Sequence, residues 1–338
     1  MTDALEKMKD SIEKLTESKK YGTLRDILST MNAADIAVLL EDTDESQLPL
    51  LFRLLPKELA ADTFVEMSSD EQELLIKSFS DSELKEVVDE LYVDDAADLV
   101  EEMPANVVKR ILSQADPEKR QMINNILKYP EDSAGSIMTT EFVDLRPHMT
   151  VEEAILRIRR SGIDKETINN CYVTAKDRKL IGMVTIRDLI LSDGEKEMTD
   201  IMDENVISVN TMEDQEAVAL AFSKYDLLAM PVVDGEGRLV GIVTVDDVLD
   251  VMEKETTEDI EKMAAIMPTE KPYLKQTTFD LWKSRIPWLL LLMISATFTG
   301  MIITSFEDAL QSFVVLTAYI PMLMDTGGNT GGQASISM

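Results

Sequence analysis

Carboxylate oxygen is the dominant ligand chemistry of this sequence, and it is concentrated. Between Asp246 and Glu261 eight of sixteen positions are acidic: Asp246, Asp247, Asp250, Glu253, Glu255, Glu258, Asp259 and Glu261, with Lys254 as the cation among them. On a helix, Glu255, Glu258 and Asp259 fall at i, i+3 and i+4 and share one face; Asp247 and Asp250 precede them in the same run. A second concentration holds Asp94, Asp95 and Asp98, with Asp94 and Asp98 on one helix face. Like charges at this spacing weaken a helix unless something neutralises them. The clusters therefore want cations, a basic partner or water, and a solvated surface is the alternative for any single carboxylate. Other chemistry is scarce. One histidine, His148, and one cysteine, Cys171, leave no Ser/His/Asp, Cys/His or metal-hydrolase constellation, so the sequence predicts no enzyme. His148 lies in the turn DLRPHMTVEEA. Cys171 lies in the strand-like NNCYVTA, where it reads as a small buried apolar residue. A single cysteine excludes an internal disulfide and fits a reducing compartment.

The elements that must position these acids are legible as texture. The chain has 338 residues, with 33 basic against 64 acidic and a net charge of −31. Such a surface is a poor match for nucleic acid, whose phosphates need Lys and Arg. Disorder is the other reading of high charge, but 45% of residues are hydrophobic and periodically placed, which predicts two or three folded domains. Residues 1–130 contain one glycine, Gly22, and a series of short apolar runs. Pro56, Ser69, Ser80, Asp94, Pro104, Asp116 and Pro117 suit caps or first turns. The pattern predicts short helices stacked as a superhelix.

At Tyr129 strand and helix patterns begin to alternate, and they do so twice. IGMVTIRDLI and VGIVTVDDVL align Gly182, Thr185 and Asp188 with Gly241, Thr244 and Asp247, each displaced by 59 residues. Residues 253–284 read as a connecting helix interrupted at Pro268 and Pro272. Ile286 to Phe306 is a run of 21 residues without formal charge. At ~1.5 Å rise per residue it can cross a ~30 Å hydrocarbon core. Trp282, Lys283, Arg285 and Trp288 mark the interface, and Arg285 is the last cation in the sequence, which puts the N-terminal side in the cytoplasm. A second apolar stretch, Ser312 to Met324, runs into DTGGNTGGQASISM, where the glycines allow close helix packing and Asp325 is a functional candidate. No signal peptide opens the sequence, since MTDALEKMKDSIEKL is amphipathic and charged.

The duplicated Gly–apolar strand–Thr–x–x–Asp signature resembles that of cystathionine-β-synthase (CBS) domains. The resemblance implies a pseudo-twofold pair with a cleft for an adenosine nucleotide such as ATP, near Thr185, Asp188 and Thr244; a plain helix cap is the alternative for each. The order of a short-helix acidic domain, a CBS pair, an acidic helix and a membrane span is similar to the MgtE family of magnesium channels. PEDSAGSIMT, VTVDDVLDVMEKETTEDI and P-x-L-M-D-T-G-G-N-T-G-x-Q carry that resemblance from about residue 20 to the end. It implies a multidomain protein: an all-α superhelical N-domain (1–130), an α/β tandem CBS pair (131–200 and 201–252), a long connecting helix (253–284) and α-helical transmembrane segments (285–338). It further implies a homodimer through the CBS domains, a multi-pass cell-membrane location and Mg²⁺ as ligand. Asp62, Asp214, Glu216 and Asp226 match family positions and join Asp94, Asp98, Asp247, Asp250, Glu255, Glu258 and Asp259 as the expected Mg²⁺ ligands. Family members continue with further membrane helices, five in all, so a truncated product or fragment is expected, without the pore aspartate. The function implied is Mg²⁺ sensing that closes a pore when internal Mg²⁺ is high. The alternative is a nucleotide-sensing CBS module on a membrane anchor.

Overall fold

A computed structural model describes residues 3–41, 43–269 and 276–337. The chain divides into two compact units, residues 1–248 and 249–338.

The first unit begins with ten short helices. They are α1 (Asp3–Glu17), α2 (Tyr21–Leu28), α3 (Ala33–Glu41), α4 (Leu48–Phe52), α5 (Lys57–Val65), α6 (Ser69–Ser78), α7 (Asp81–Glu90), α8 (Val93–Glu102), α9 (Ala105–Gln114) and α10 (Pro117–Ile126). Pro56, Ser68, Ser80, Pro104 and Asp116 stand at N-caps, and Ser80 forms a reciprocal capping box with Glu83. None of these helices can bury a face alone. Alternate helices stack instead, α3 on α5, α5 on α7, α7 on α9 and α8 on α10. One apolar core runs through the stack, from Leu24 and Leu28 through Leu75, Ile76 and Leu84 to Ile111 and Ile123. Ion pairs repeat along it: Arg53–Glu83 at 2.7 Å, Arg110–Asp81 at 3.1 Å and Lys85–Asp116 at 2.7 Å.

The α/β pair follows. Strands β1 (Val143–Leu145), β2 (Asn170–Thr174) and β3 (Leu180–Thr185) form one sheet, and β4 (Val209–Asn210), β5 (Ala229–Val233) and β6 (Leu239–Thr244) form the other. In each, the first pair is parallel and the second antiparallel. The duplication holds at the level of register: Asn170 pairs Thr185 as Ala229 pairs Thr244, and both second strands carry a bulge at the same place. Helices α11 (Val151–Ser161), α12 (Ile186–Leu191), α13 (Met198–Ile201) and α14 (Gln215–Tyr225) complete the two copies. The copies exchange their leading segments. Thr139 trades two backbone hydrogen bonds with Ile242 of the second copy, and Asp203 trades two with Met183 of the first. Gly241 permits this approach, since a Cβ there would stand 2.7 Å from the Thr139 carbonyl oxygen. The segment PEDSAGS docks on the second copy: Gln215 N–H donates to the Asp132 carbonyl and Gly135 N–H to that of Thr211. Cys171 is fully buried and its thiol is pushed up to about 12 by burial, as an inert core residue requires.

Helix α15 (Val245–Met263) starts in the first unit and ends in the second, which also holds α16 (Thr278–Ser305), α17 (Glu307–Ser312) and α18 (Val315–Ile336). The connecting helix expected over 253–284 is therefore two pieces. One stops at Met263, Ala265 takes a left-handed φ of 57°, and the other resumes at Thr278 with a Thr277–Asp280 capping box. Pro268 lies between them, and Pro272 is outside the described residues. Among the described residues one helix, α16, is long and apolar enough to cross a membrane. The second predicted span falls in α18, where Asp325 and the Gly-Gly-Asn-Thr-Gly-Gly run dilute the apolar character while the helix continues through them. Phe279 and Trp282 stack at 5.7 Å just before the apolar stretch.

Candidate functional site: a carboxylate cluster between the helical stack and the α/β pair

Within the first unit, the N-terminus of α8 meets the α/β pair. Val93 N–H, an orphan donor in the first turn of α8, reaches the Glu141 Oε2 at 3.0 Å. Asp94, the next residue, is only 6% exposed, and its Oδ1 has no hydrogen-bond partner. Burial raises the Asp94 carboxyl well above its usual range, and Asp247, Asp95 and Glu166 repel it further. Asp247 is pushed up to about 7, chiefly by burial, although the Thr244 hydroxyl donates to its Oδ2 at 2.6 Å. Asp95 rises to about 6 and Glu166 to about 8, again by burial first and carboxylate neighbours after it. Tyr92, the α8 N-cap residue, faces Glu166, Glu141, Asp62 and Asp94.

Little opposes this charge. Lys119 of α10 reaches the cluster, but its ammonium donates to the Asp89 and Leu91 carbonyls, and burial lowers its basicity. A buried carboxylate oxygen without a donor costs free energy that must be offset by a proton or a cation. The donor set is all oxygen, with neither thiolate nor imidazole, which fits a hard divalent cation. Among the described residues no group of three or more acids, histidines or cysteines is placed to hold a metal ion.

The predicted site residues separate into groups. Asp94 and Asp247 are brought together, with Asp62 at the margin, its carboxyl raised by partial burial and by Glu58. Asp98 shares α8 with Asp94 but is exposed. Asp214, Glu216 and Asp226 are exposed and do not form one site. Asp214 caps α14, accepting from Glu216 N–H at 2.9 Å, whereas Asp226 ends that helix in a left-handed turn of φ 52°. Eleven helical residues separate them by roughly 16 Å. In the second unit, Glu258 pairs with Lys262 at 2.6 Å, a cation just beyond the acidic run, so the i, i+4 repulsion there is partly relieved. Asp250, Glu255 and Asp259 stand on the same helix. The nucleotide candidates are helix caps: the Thr185 hydroxyl bonds the Asp188 Oδ2 at 2.5 Å, with Asp188 exposed, and Thr244 does the same with Asp247. A cavity of about 170 Å³ opens between the two α/β copies, lined by Leu180, Ile181, Glu204, Val206, Ser208, Val233 and Gly237, and none of the three lines it. Glu141 and Glu166, which complete the buried cluster, have no sequence signature: each is an isolated acid in a loop.

Comparison with known proteins places this geometry. Residues 31–132 match the MgtE intracellular N domain, and residues 134–194 and 198–254 each match a CBS domain. The chain is 38% identical to the magnesium transporter MgtE of Thermus thermophilus over 98% of its own length and 74% of that protein's. It is 33% identical to the magnesium transporter MgtE of Bacillus subtilis, over 95% and 70%. Among solved structures, the cytosolic domain of the Mg²⁺ channel MgtE in complex with ATP superposes with a TM-score of 0.69 at 37% identity, covering 72% of this chain and 99% of that one. The soluble part of a magnesium transporter gives 0.68 at 30% identity, covering 74% and 99%. The relatives matched over nearly the whole chain are transporters, not enzymes. With its helical N domain, its tandem CBS pair and a helix long enough for a membrane, this chain belongs to the MgtE family of magnesium transporters.

Proposed function

We propose that the chain is the Mg²⁺-sensing cytoplasmic part and first membrane segments of a magnesium channel, and that it closes the pore when internal Mg²⁺ is high. The observation that carries this reading is the buried Asp94 carboxylate, one oxygen unpartnered, facing Asp95, Glu166 and Asp247 from different parts of the first unit. Without a cation these carboxylates oppose docking of the helical stack on the CBS pair. Each like-charge contact near 4 Å costs about 1 kcal/mol in water and more where water is excluded. A hydrated Mg²⁺ held by Asp94 and Asp247, with Asp62 at the edge, reverses the sign of that interaction. Millimolar affinity, about 4 kcal/mol per site, suits a sensor of cellular Mg²⁺. Asp98, Asp214, Glu216, Asp226, Asp250, Glu255, Glu258 and Asp259 are further weak ligands, able to act against partners outside this cluster. The acidic helix that leaves the second CBS copy transmits the docked state toward the membrane, and Lys283 and Arg285 hold the N-terminal side in the cytoplasm.

Limited trypsin digestion tests this. Lys128 is exposed at the junction between the helical stack and the CBS pair, so cleavage there should slow several-fold in millimolar Mg²⁺ relative to EDTA. Equal rates sink the ion-clamped docking.

Two partner assignments belong to the same reading. The CBS pair exposes Ile190 and Leu191 on α12 and Leu220 on α14, apolar surface that suits a homodimer. The ATP complex of the related cytosolic domain supports an adenosine nucleotide in the CBS pair, with Thr185, Asp188 and Thr244 as contacts. Sedimentation of the chain in detergent with a fluorescent ATP analogue reads both. A dimer carrying the nucleotide is expected; a monomer, or nucleotide left in the supernatant, contradicts the corresponding assignment.

A further inference from the structure

We propose that the first turns of α16 form a docking surface for an anionic phospholipid of the cytoplasmic leaflet, with Phe279 and Trp282 beside its glycerol region and Lys283 and Arg285 on its headgroup phosphate. This rests on the reading of α16 as a membrane helix whose N-terminal side is cytoplasmic, and adds which lipid that helix selects. The chain as a whole is a poor match for an anionic surface, since a net charge of −31 is repelled by it. The point of entry differs. Lys283 and Arg285 are the last two cations in the sequence, and they stand directly before the apolar run that starts at Ile286. From Gln276 to Phe306 the sequence has a single acid, Asp280.

The start of α16 is covered on one side and open on the other. Ser284 is buried, and its carbonyl accepts from Met267 N–H at 3.0 Å, so the segment before the helix packs against that side. Asp280 lies one turn earlier on the same side and is tied to the helix start: its Oδ2 accepts from the Thr277 hydroxyl at 2.7 Å and from the Thr277 N–H at 3.2 Å. At about 100° of rotation per residue, Phe279, Trp282, Lys283 and Ile286 fall opposite Ser284, with Arg285 at the border. Phe279 and Trp282 stack at 5.7 Å, yet they remain 66% and 55% exposed, and Lys283 and Arg285 are exposed beside them. Large rings left open to water forgo the free energy of burial. Aromatic and basic side chains together at the head of an apolar helix fit the membrane interface, where the cations meet lipid phosphate. A zwitterionic headgroup presents that phosphate with an ammonium of its own, whereas an anionic headgroup leaves it uncompensated. An acidic protein segment would match the two cations, but not the apolar surface that continues from Ile286 along the same helix.

The sequence supplies its own probe, because its two tryptophans are Trp282 and Trp288. The full chain is reconstituted in vesicles of equal parts phosphatidylcholine and phosphatidylglycerol, with brominated acyl chains carried on one lipid or the other, and tryptophan quenching is compared. Trp288→Phe restricts the signal to Trp282. Quenching by brominated phosphatidylglycerol should exceed quenching by brominated phosphatidylcholine at least about twofold. The excess should vanish in the double variant Lys283→Gln, Arg285→Gln. It should also shrink in the unmodified chain at about 1 M salt, where the screening length is about 3 Å. Equal quenching by the two lipids in the unmodified chain overturns the proposal, and so does an excess that survives both the double substitution and the salt. Quenching by neither lipid would instead place Trp282 outside the bilayer and overturn the membrane reading of α16 itself.

Discussion

Asp94→Asn is expected to stabilise the docked form in EDTA and to remove most of its response to Mg²⁺. Asparagine keeps the size of the side chain and removes a charge that is almost wholly buried. It also brings two N–H donors to a place where acceptors outnumber donors, with Asp95, Glu166 and Asp247 all facing it. Removing an unpaired buried charge relieves desolvation and repulsion together. For a unit of this size, the melting temperature in EDTA should rise by at least about 2 °C, at roughly 2–4 °C per kcal/mol. The increase that Mg²⁺ gives the wild type should shrink to less than about half, because stabilisation by a ligand follows its affinity for the folded state. Differential scanning calorimetry of the two proteins with and without Mg²⁺ measures both. A variant less stable than wild type in EDTA, with an undiminished Mg²⁺ increment, would show that Asp94 is structural.

The second large effect is on pH dependence. Asp95, Asp247 and Glu166 are raised to about 6, 7 and 8, and Asp94 is raised as well. Unfolded carboxyls titrate near 4. Between about pH 4 and about pH 8 the folded state therefore holds more protons than the unfolded state, and its stability falls as pH rises. The contribution of these groups is fully present below the unfolded value and is lost on passing through the folded ones. The other charged groups facing the cluster are Asp62, Tyr92, Lys119, Glu141 and Asp246. Burial lowers the basicity of Lys119 and raises the Tyr92 hydroxyl above its usual value. In EDTA the melting temperature should drop by about 5 °C or more from about pH 5.5 to about pH 8. Millimolar Mg²⁺ should flatten the slope, because the cation binds the deprotonated cluster that high pH creates. A profile that rises with pH in EDTA, or one that Mg²⁺ leaves unchanged, contradicts the burial of these acids together.

Much of this architecture was legible in the sequence because it is local. The helical stack follows from caps and short apolar runs, and the CBS pair from an internal repeat whose register the strands reproduce residue for residue. Asp94 and Asp247 were legible as members of acidic clusters. Their meeting was not, because they are distant in sequence and only the packing of α8 on the α/β pair joins them. Glu141 and Glu166 left no trace for the same reason. The exposure of Asp214, Glu216 and Asp226 follows from helix-end roles, which acid composition alone does not separate from ligation. The connecting segment was read as broken at Pro268 and Pro272. The helix stops ahead of both, at Met263, and Ala265 just after it takes a left-handed conformation.

The central claim is that Mg²⁺ holds the helical stack on the CBS pair through the carboxylate cluster. Amide hydrogen exchange at Val93 tests it most directly. That N–H lies in the first turn of α8, where no intrahelical acceptor exists, and Glu141 is its partner across the boundary. Its protection therefore reports docking and not the stability of the helix. Exchange at Val93 should slow by at least about tenfold when millimolar Mg²⁺ replaces EDTA, equivalent to about 1.4 kcal/mol, while amides in the middle of α8 change less. Equal exchange at Val93 in the two conditions would contradict the account.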